Sequence, residues 1–208
     1  PEGAEHFTKI MWPQGNDTFR ETAHSFAKRL AELTEMTIRM VVENYGVEIG
    51  RFSALRESKF HILRFIKYRA PQANETNVGL GAHTDSAFLT ILHQHQAEGL
   101  QVKSKYGQWI DVKPSSSSYL VLAGEALMAW SNDRVRPCVH QVVMKENNVR
   151  YSIGFFTVFK GIIHVPEELI DDDRPLRYKP FDHCEFLSYF FTEEARKFEN
   201  PIRGFCGI

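Results

Sequence analysis

His83 and Asp85 stand two residues apart, the spacing at which an extended chain turns an imidazole and a carboxylate to one face. Such a pair can fill two coordination positions of a divalent cation. A third ligand must come from elsewhere, and His140 offers it from a β-like run 55 residues after Asp85. Two imidazoles and one carboxylate on one face of an octahedron leave three positions open, the facial arrangement with which non-haem Fe(II) activates O2. Catalytic zinc prefers four ligands and brings no redox chemistry, so the trio serves it less well. A zinc-dependent hydrolase is nevertheless the competing chemistry. His-x-Asp by itself is a weak signal in a chain with nine histidines.

Arg150 and Ser152 sharpen that signal. They follow His140 by 10 and 12 residues and share one face of the next β-like run. If the turn at 145–148 closes a hairpin, that run lies beside the one bearing His140. A guanidinium turned into a barrel interior needs an anionic partner, because an unpaired buried charge is costly. A dicarboxylate co-substrate, gripped by Arg150 and assisted by the Ser152 hydroxyl, supplies one. Phe156 continues the Arg150, Ser152, Gly154 face and is a candidate wall for an organic substrate. The remaining histidines fit simpler roles. His93 and His95 also alternate, but no carboxylate shares their spacing, and a strand end near solvent suits them. His61 reads as a core or edge residue; His6, His24, His164 and His183 receive no site role.

These residues need a β framework to hold them. Residues 1–16, with Pro13, Gly15 and Asn16, read as an extended lead-in. A long helix over 17–46 follows, opened by a Thr18–Glu21 capping box, carrying Phe19, Ala23, Phe26, Leu30 and Leu33 on one face, and stopped by Gly46. From residue 60 the period changes to that of strands: 60–68, 86–93, 99–103, 108–113, 118–123, 138–145 and 149–159, separated by turn residues. Short, regularly spaced strands predict a sandwich or barrel. A second capping box, Asp182 and Glu185, opens a final amphipathic helix over 183–200 that could serve as a lid or simply pack. The architecture expected is a single domain over 1–208, mainly β, with a helix on each flank.

Composition narrows the classes. With 208 residues, 43% hydrophobic and 25% charged, the chain can bury one sizeable core. A net charge of −1 gives no general attraction to nucleic acid. Cys138, Cys184 and Cys206 form no CxxC pair, which argues against a disulfide framework or zinc ribbon and suits a reducing, cytoplasmic setting. No apolar run approaches the roughly 20 residues of a membrane helix. A monomer with a small-molecule substrate, and neither nucleic acid nor membrane as partner, is expected.

Taken together, His83-Thr84-Asp85, His140 and Arg150-Tyr151-Ser152 resemble the signature of the plant 2-oxoglutarate/Fe(II)-dependent dioxygenases, relatives of anthocyanidin synthase, gibberellin oxidases and flavonoid hydroxylases. The segments 79–82, 88–92, 99–102, Gly124-Glu125-Ala126-Leu127 and Trp130-Ser131-Asn132 add to the likeness, which is strongest over 60–160. Trp12-Pro13-Gln14-Gly15, Lys67-Tyr68-Arg69-Ala70-Pro71 and the ending Phe205-Cys206-Gly207-Ile208 resemble the subgroup named for alkenyl and hydroxyalkyl glucosinolate production. The resemblance implies a double-stranded β-helix, or jelly-roll, core over 60–160. It implies Fe(II), 2-oxoglutarate and O2, with ascorbate as reductant. It makes His83, Asp85 and His140 the iron ligands and Arg150 and Ser152 the co-substrate binders. In the family's Asn-Tyr-Tyr-Pro run a tyrosine also touches 2-oxoglutarate; here the run is Lys67-Tyr68-Arg69-Ala70, and Tyr68 is the candidate. The implied reaction is oxidation of a small plant secondary metabolite with release of succinate and CO2. Family members carry a further segment ahead of the long helix, so the chain resembles the C-terminal two-thirds of such an enzyme. A non-catalytic jelly-roll binding module is the alternative.

Overall fold

Apolar side chains that recur at multiples of a helical turn lay a 28-residue helix across the outside of a β-sheet. The computed structural model describes residues 2–48, 50, 57–145 and 148–208, and in it α1 spans Glu2–Met11 and this long helix, α2, spans Asp17–Asn44. Ala23, Leu30, Thr34, Ile38 and Val42 are its buried residues, spaced by seven and then by four. Leu30 rests on Ile91 and Phe155, while Ile38 and Val42 join the main core around Phe88, Trp130, Phe159 and Phe186. Two expectations are corrected here. Residues 2–11 are helical, not an extended lead-in: the turn-forming residues are confined to 13–16, and Glu2, Glu5 and Lys9 complement the helix dipole. The cap of α2 is Asn16, whose side chain accepts from the Phe19 amide at 3.0 Å, rather than Thr18, which lies inside the helix. Trp12 and Phe7 pack on Phe19 at the joint.

Ten strands follow among the described residues: β1 (Lys59–Tyr68), β2 (Val78–His83), β3 (Leu89–Gln94), β4 (Leu100–Lys103), β5 (Trp109–Asp111), β6 (Leu120–Ala123), β7 (His140–Val143), β8 (Arg150–Phe159), β9 (Ile162–Ile163) and β10 (Phe181–Asp182). They form two antiparallel four-stranded sheets, β1-β8-β3-β6 and β2-β7-β4-β5, with β9 and β10 as a small separate pair. Apart from β4 and β5, which pair as neighbours in one sheet, successive strands from β1 to β8 alternate between sheets in the jelly-roll manner. The expected framework, mainly β with flanking helices, is the one observed.

The hairpin expected between β7 and β8 does not form. β7 has β2 on one edge and β4 on the other, and β8 is flanked by β1 and β3. A strand has only two hydrogen-bonding edges, so neither is free for the other. The connection therefore crosses from one sheet to the other; Glu146 and Asn147 of the expected turn lie outside the described residues. β2 is a strand the sequence reading did not separate, since its Val78-Gly79-Leu80-Gly81 run is glycine-rich and exposed.

A short helix, α3 (Glu125–Trp130), is buried throughout. Toward the C-terminus the helix expected over 183–200 is shorter: α4 (His183–Phe190), capped by Asp182 through the Cys184 and Glu185 amides, ends early and is followed by a 3-10 turn at Ala195–Lys197, and a further helix, α5 (Pro201–Cys206), lies beyond the expected range. Asn132 and Asp133 adopt positive φ, at 51° and 68°. Asn132 uses that turn to donate to the carbonyls of Leu169, Arg174 and Pro175 and to accept from the Arg177 amide. No helix among the described residues is long and apolar enough to cross a membrane, and all three cysteines are free.

Candidate metal centre

His83, at the end of β2, is the cross-strand partner of His140, at the start of β7. Pairing across one sheet therefore sets the two imidazoles together, with ring centroids 4.2 Å apart. Asp85 follows just beyond β2. Its Oδ1 lies 3.7 Å from His83 Nε2 and 3.9 Å from His140 Nε2. One ligand atom from each residue falls within 4.8 Å of the others, the only such three-residue cluster of His, Cys, Asp and Glu among the described residues. The Nδ1 of His83 donates to the Gly81 carbonyl at 2.8 Å and that of His140 to the Cys138 carbonyl at 3.0 Å. A carbonyl only accepts, so Nδ1 holds the proton in each ring and Nε2 presents a lone pair to the cluster. Burial holds His140 below the ordinary histidine range against the pull of Asp85, which keeps it neutral and able to ligate. Asp85 is 8% exposed, and its Oδ2 is buried without a hydrogen-bond partner. A carboxylate with one oxygen near two imidazole lone pairs and the other buried without a partner fits a divalent cation.

The second half of the site comes from the opposite sheet. Arg150 is 1% exposed at the start of β8, and the register places Tyr68 of β1 beside it and Ser152 between Ile66 of β1 and Gln94 of β3. The guanidinium carbon lies 5.0 Å from the Tyr68 ring centroid. Nη2 donates to Gln94 Oε1 at 2.8 Å and Nη1 to Ser152 Oγ at 3.3 Å, while Nε is buried without a partner. Among the described residues no carboxylate neutralises it; burial works against its charge and also raises the Tyr68 phenol, with Arg150 and Ser152 opposing that rise. A buried guanidinium with one free donor and only neutral partners is a fit for an incoming carboxylate.

His83, Asp85, His140, Tyr68, Arg150, Ser152 and Phe156 all line one cavity of about 260 Å³, so every candidate site residue read from the sequence meets there. Of the residues given no role, His93 reaches the cavity wall from β3 and its Nδ1 lies 3.3 Å from the Ser118 carbonyl; His95 is exposed. His61 stacks on Phe155 outside the sheet. Leu187, Phe190 and Phe191 of the α4 region close one end of the cavity.

Two residues were missed. Gln94 carries no motif, yet it fixes Arg150 while its own amide donates to the Val112 carbonyl at 2.8 Å. Glu125, fully buried, accepts from the Thr84 hydroxyl and from the Ile202 amide at 2.7 Å, and its backbone N–H donates to the Asp85 carbonyl at 2.8 Å. It thereby ties the Asp85 loop to α3 and α5. Burial pushes its carboxyl up to about 7 against those two hydrogen bonds. The preceding Gly124 allows the approach: a Cβ there would lie 1.9 Å from the Ala87 carbonyl oxygen. Gly99, at a φ of 141°, similarly allows a close backbone approach: a Cβ there would lie 2.9 Å from the Val143 carbonyl oxygen. The Gly-Glu pair was visible in sequence as part of the resemblance; the Gln94 contact was not.

A family model described as the 2OG-Fe(II) oxygenase superfamily matches residues 59–158. Over 215 residues the chain is 40% identical to the probable 2-oxoglutarate-dependent dioxygenase AOP1.2 of Arabidopsis thaliana, an alignment covering 100% of this chain and 67% of that protein. The fold is similar to that of the dioxygenase for auxin oxidation in rice, with a TM-score of 0.79 at 24% identity over 91% of this chain and 64% of that one. It is equally similar to JOX2 in complex with 2OG, Fe and JA, with a TM-score of 0.79 at 26% identity, covering 88% of this chain and 56% of the other. The chain thus spans about two-thirds of its Arabidopsis relative and less of the two solved structures. Identity of that extent, with the family model matched across the sheets that carry the site, makes this chain a member of the 2OG-Fe(II) oxygenase superfamily.

Proposed function

We propose that this chain is the catalytic core of an oxygenase that uses Fe(II), 2-oxoglutarate and O2 to oxidise a C–H bond of a small organic molecule. One observation carries the reading: Asp85 and Arg150, each with a buried atom that has no hydrogen-bond partner (Oδ2 and Nε), line the same cavity, Asp85 from the loop after β2 and Arg150 from β8 of the other sheet. The first fits a cation and the second an anion. A diacid that also ligates the metal satisfies both. When bound, Fe(II) with 2-oxoglutarate and O2 supplies an oxidation coupled to conversion of the diacid to succinate and CO2. His83, Asp85 and His140 hold the metal on one face; their Nδ1–H bonds to backbone carbonyls fix the rings before it arrives. Arg150, Ser152 and Tyr68 grip the far carboxylate of the diacid. Leu92, Leu100 and Val142 keep that end of the cavity apolar, which strengthens the charge pairing. Phe156, with Leu187 and Phe190, forms an apolar wall for the organic substrate. A zinc hydrolase built on the same trio is not favoured, because hydrolysis gives the buried Arg150 group no purpose.

The test is an anaerobic titration with Fe(II) and 2-oxoglutarate, followed by the visible absorption of the ternary complex. The wild-type chain should develop the band; Asp85→Ala should not. Arg150→Ala should retain metal and bind 2-oxoglutarate roughly tenfold to a hundredfold more weakly, the worth of a charged hydrogen-bonded contact. Wild-type metal affinity in Asp85→Ala would refute the assignment.

A further inference from the structure

We propose that the outer face of the β1-β8-β3 sheet, on the reverse of the metal cavity, holds a second small-molecule site, one that takes an aromatic ring bearing a carboxylate. This site is distinct from the oxidation proposed above and does not depend on it. Side chains alternate between the two faces of a strand, and residues paired across strands share a face. Tyr68, Arg150, Ser152 and Gln94 turn to the metal cavity. The register pairs Lys67 with Tyr151, Phe65 with Ile153 and Ile153 with His93, all on the other face. These residues, with His95 just past the end of β3, line a pocket of about 390 Å³. Ile66, His93 and Ser152 border both spaces, so the sheet itself is the partition between them.

α2 covers this outer face only in part. Leu30 and Phe26 pack with Ile91, Phe155 and Leu63, and Phe19 reaches Phe65 with ring centroids 5.5 Å apart. Past that point Phe65 and Tyr151 stay exposed, and Tyr119 stands 5.2 Å from the His93 ring. Walls of this kind suit a flat ring. The charge on them has one sign: Lys67, His93 and His95 line the pocket, and among the described residues no acid does. Lys67 Nζ lies 6.0 Å from the centroid of the Tyr151 ring, a contact that orients an ammonium without neutralising it. No carboxylate pairs with Lys67 among the described residues, whereas Lys59 at the start of the same strand meets Glu35 and Arg69 just past its end meets Glu75. The same charge repels a metal cation, so the two histidines serve an anion's surroundings rather than a chelate. A carboxylate on Lys67 with its ring against Phe65 and Tyr151 matches both the walls and the charge.

The experiment uses the chain saturated with Zn(II) and 2-oxoglutarate, a diamagnetic filling that keeps other acids off the metal ligands and Arg150. Two probe pairs are titrated: naphthalene-2-carboxylic and 4-phenylbutanoic acids, each against its primary amide. Calorimetry reads affinity, and NMR signals of the His95 ring C–H groups and the Ile153 methyls read location. At least one acid should bind about threefold or more tightly than its amide, the worth of an ion pair at a partly open site. That acid should shift the His95 and Ile153 signals. Lys67→Met should bring it to the level of the amide, and Lys67→Glu should turn the preference toward the amide. Tyr151→Ala should weaken acid and amide alike, because it removes a wall. Lys67 and Tyr151 are both exposed, so these variants keep the fold. Absence of binding by both acids, equal binding of acid and amide in both pairs, or a preference that survives Lys67→Met overturns the proposal. So do shifts confined to Leu187 and Phe191 at the metal cavity.

Discussion

Arg150 keeps a buried cation in place through neutral groups alone. Gln94 bonds Nη2, Ser152 lies near Nη1, the Tyr68 ring covers one face, and Nε stays free. Such a guanidinium is preorganised, so an arriving carboxylate loses little to reordering it. Replacing Gln94 by Leu removes the partner of Nη2 and lets the fork rotate. Gln94→Leu should raise the dissociation constant for 2-oxoglutarate about tenfold while leaving metal binding unchanged, since one hydrogen bond to a charged group is worth roughly 1.5–3 kcal/mol. Calorimetry of the metal-loaded protein decides it; a weakened metal site would mean that Gln94 acts on the whole cavity instead. His83 and His140 show the same economy, each ring fixed by a carbonyl of its own local chain.

At the level of elements, the site depends on how closely α3 approaches the loop after β2. Gly124 brings the two backbones together, its amide donates to the Phe88 carbonyl at 3.1 Å, and Glu125 binds both the Thr84 hydroxyl and the Asp85 carbonyl. Adding one methyl at Gly124 forces this contact open. Gly124→Ala should cost about 2–4 kcal/mol in urea unfolding, at or above the usual overpacking range because the obstacle is backbone. It should also weaken metal binding, since Asp85 moves with the loop. A variant with wild-type stability would show that the two elements can part freely. Sheet pairing sets the rest: His83 and His140 are neighbours because β2 and β7 pair, and Tyr68 and Arg150 because β1 and β8 do.

For the molecule as a whole, pH acts through histidines buried in neutral form. His183 is fully buried, accepts from the Phe159 amide at 3.2 Å and donates to the Ser86 carbonyl at 2.9 Å, which links α4, β8 and the loop beyond Asp85. Burial holds it down at about 4, and the half-buried His61 is also held at about 4. Between about 6.5 and 4 the unfolded chain therefore binds protons that the folded chain does not, so stability falls as pH is lowered through that window and is retained above it. For His183 the loss is at most about 3 kcal/mol, from roughly 1.4 kcal/mol per unit. Urea unfolding at pH 7 and pH 4.5 should show it. His183→Gln should be less stable at pH 7, through weakened hydrogen bonds, but should lose less between the two pH values; an unchanged difference would place the effect elsewhere.

His83, Asp85, His140, Arg150 and Ser152 could be picked from the chain alone because period-two geometry and residue chemistry are local properties, and so could the β-rich core and the long helix. The cap at Asn16, the helix over 2–11 and the early end of the helix that starts at His183 were misjudged because several plausible local signals competed and packing chose among them. Only the tertiary structure decided that His140 and Arg150 reach the cavity from different sheets and that Gln94 steadies the guanidinium. Each depends on which strands share an edge. That is settled by contacts between residues far apart in sequence, which the local pattern of a single strand does not encode.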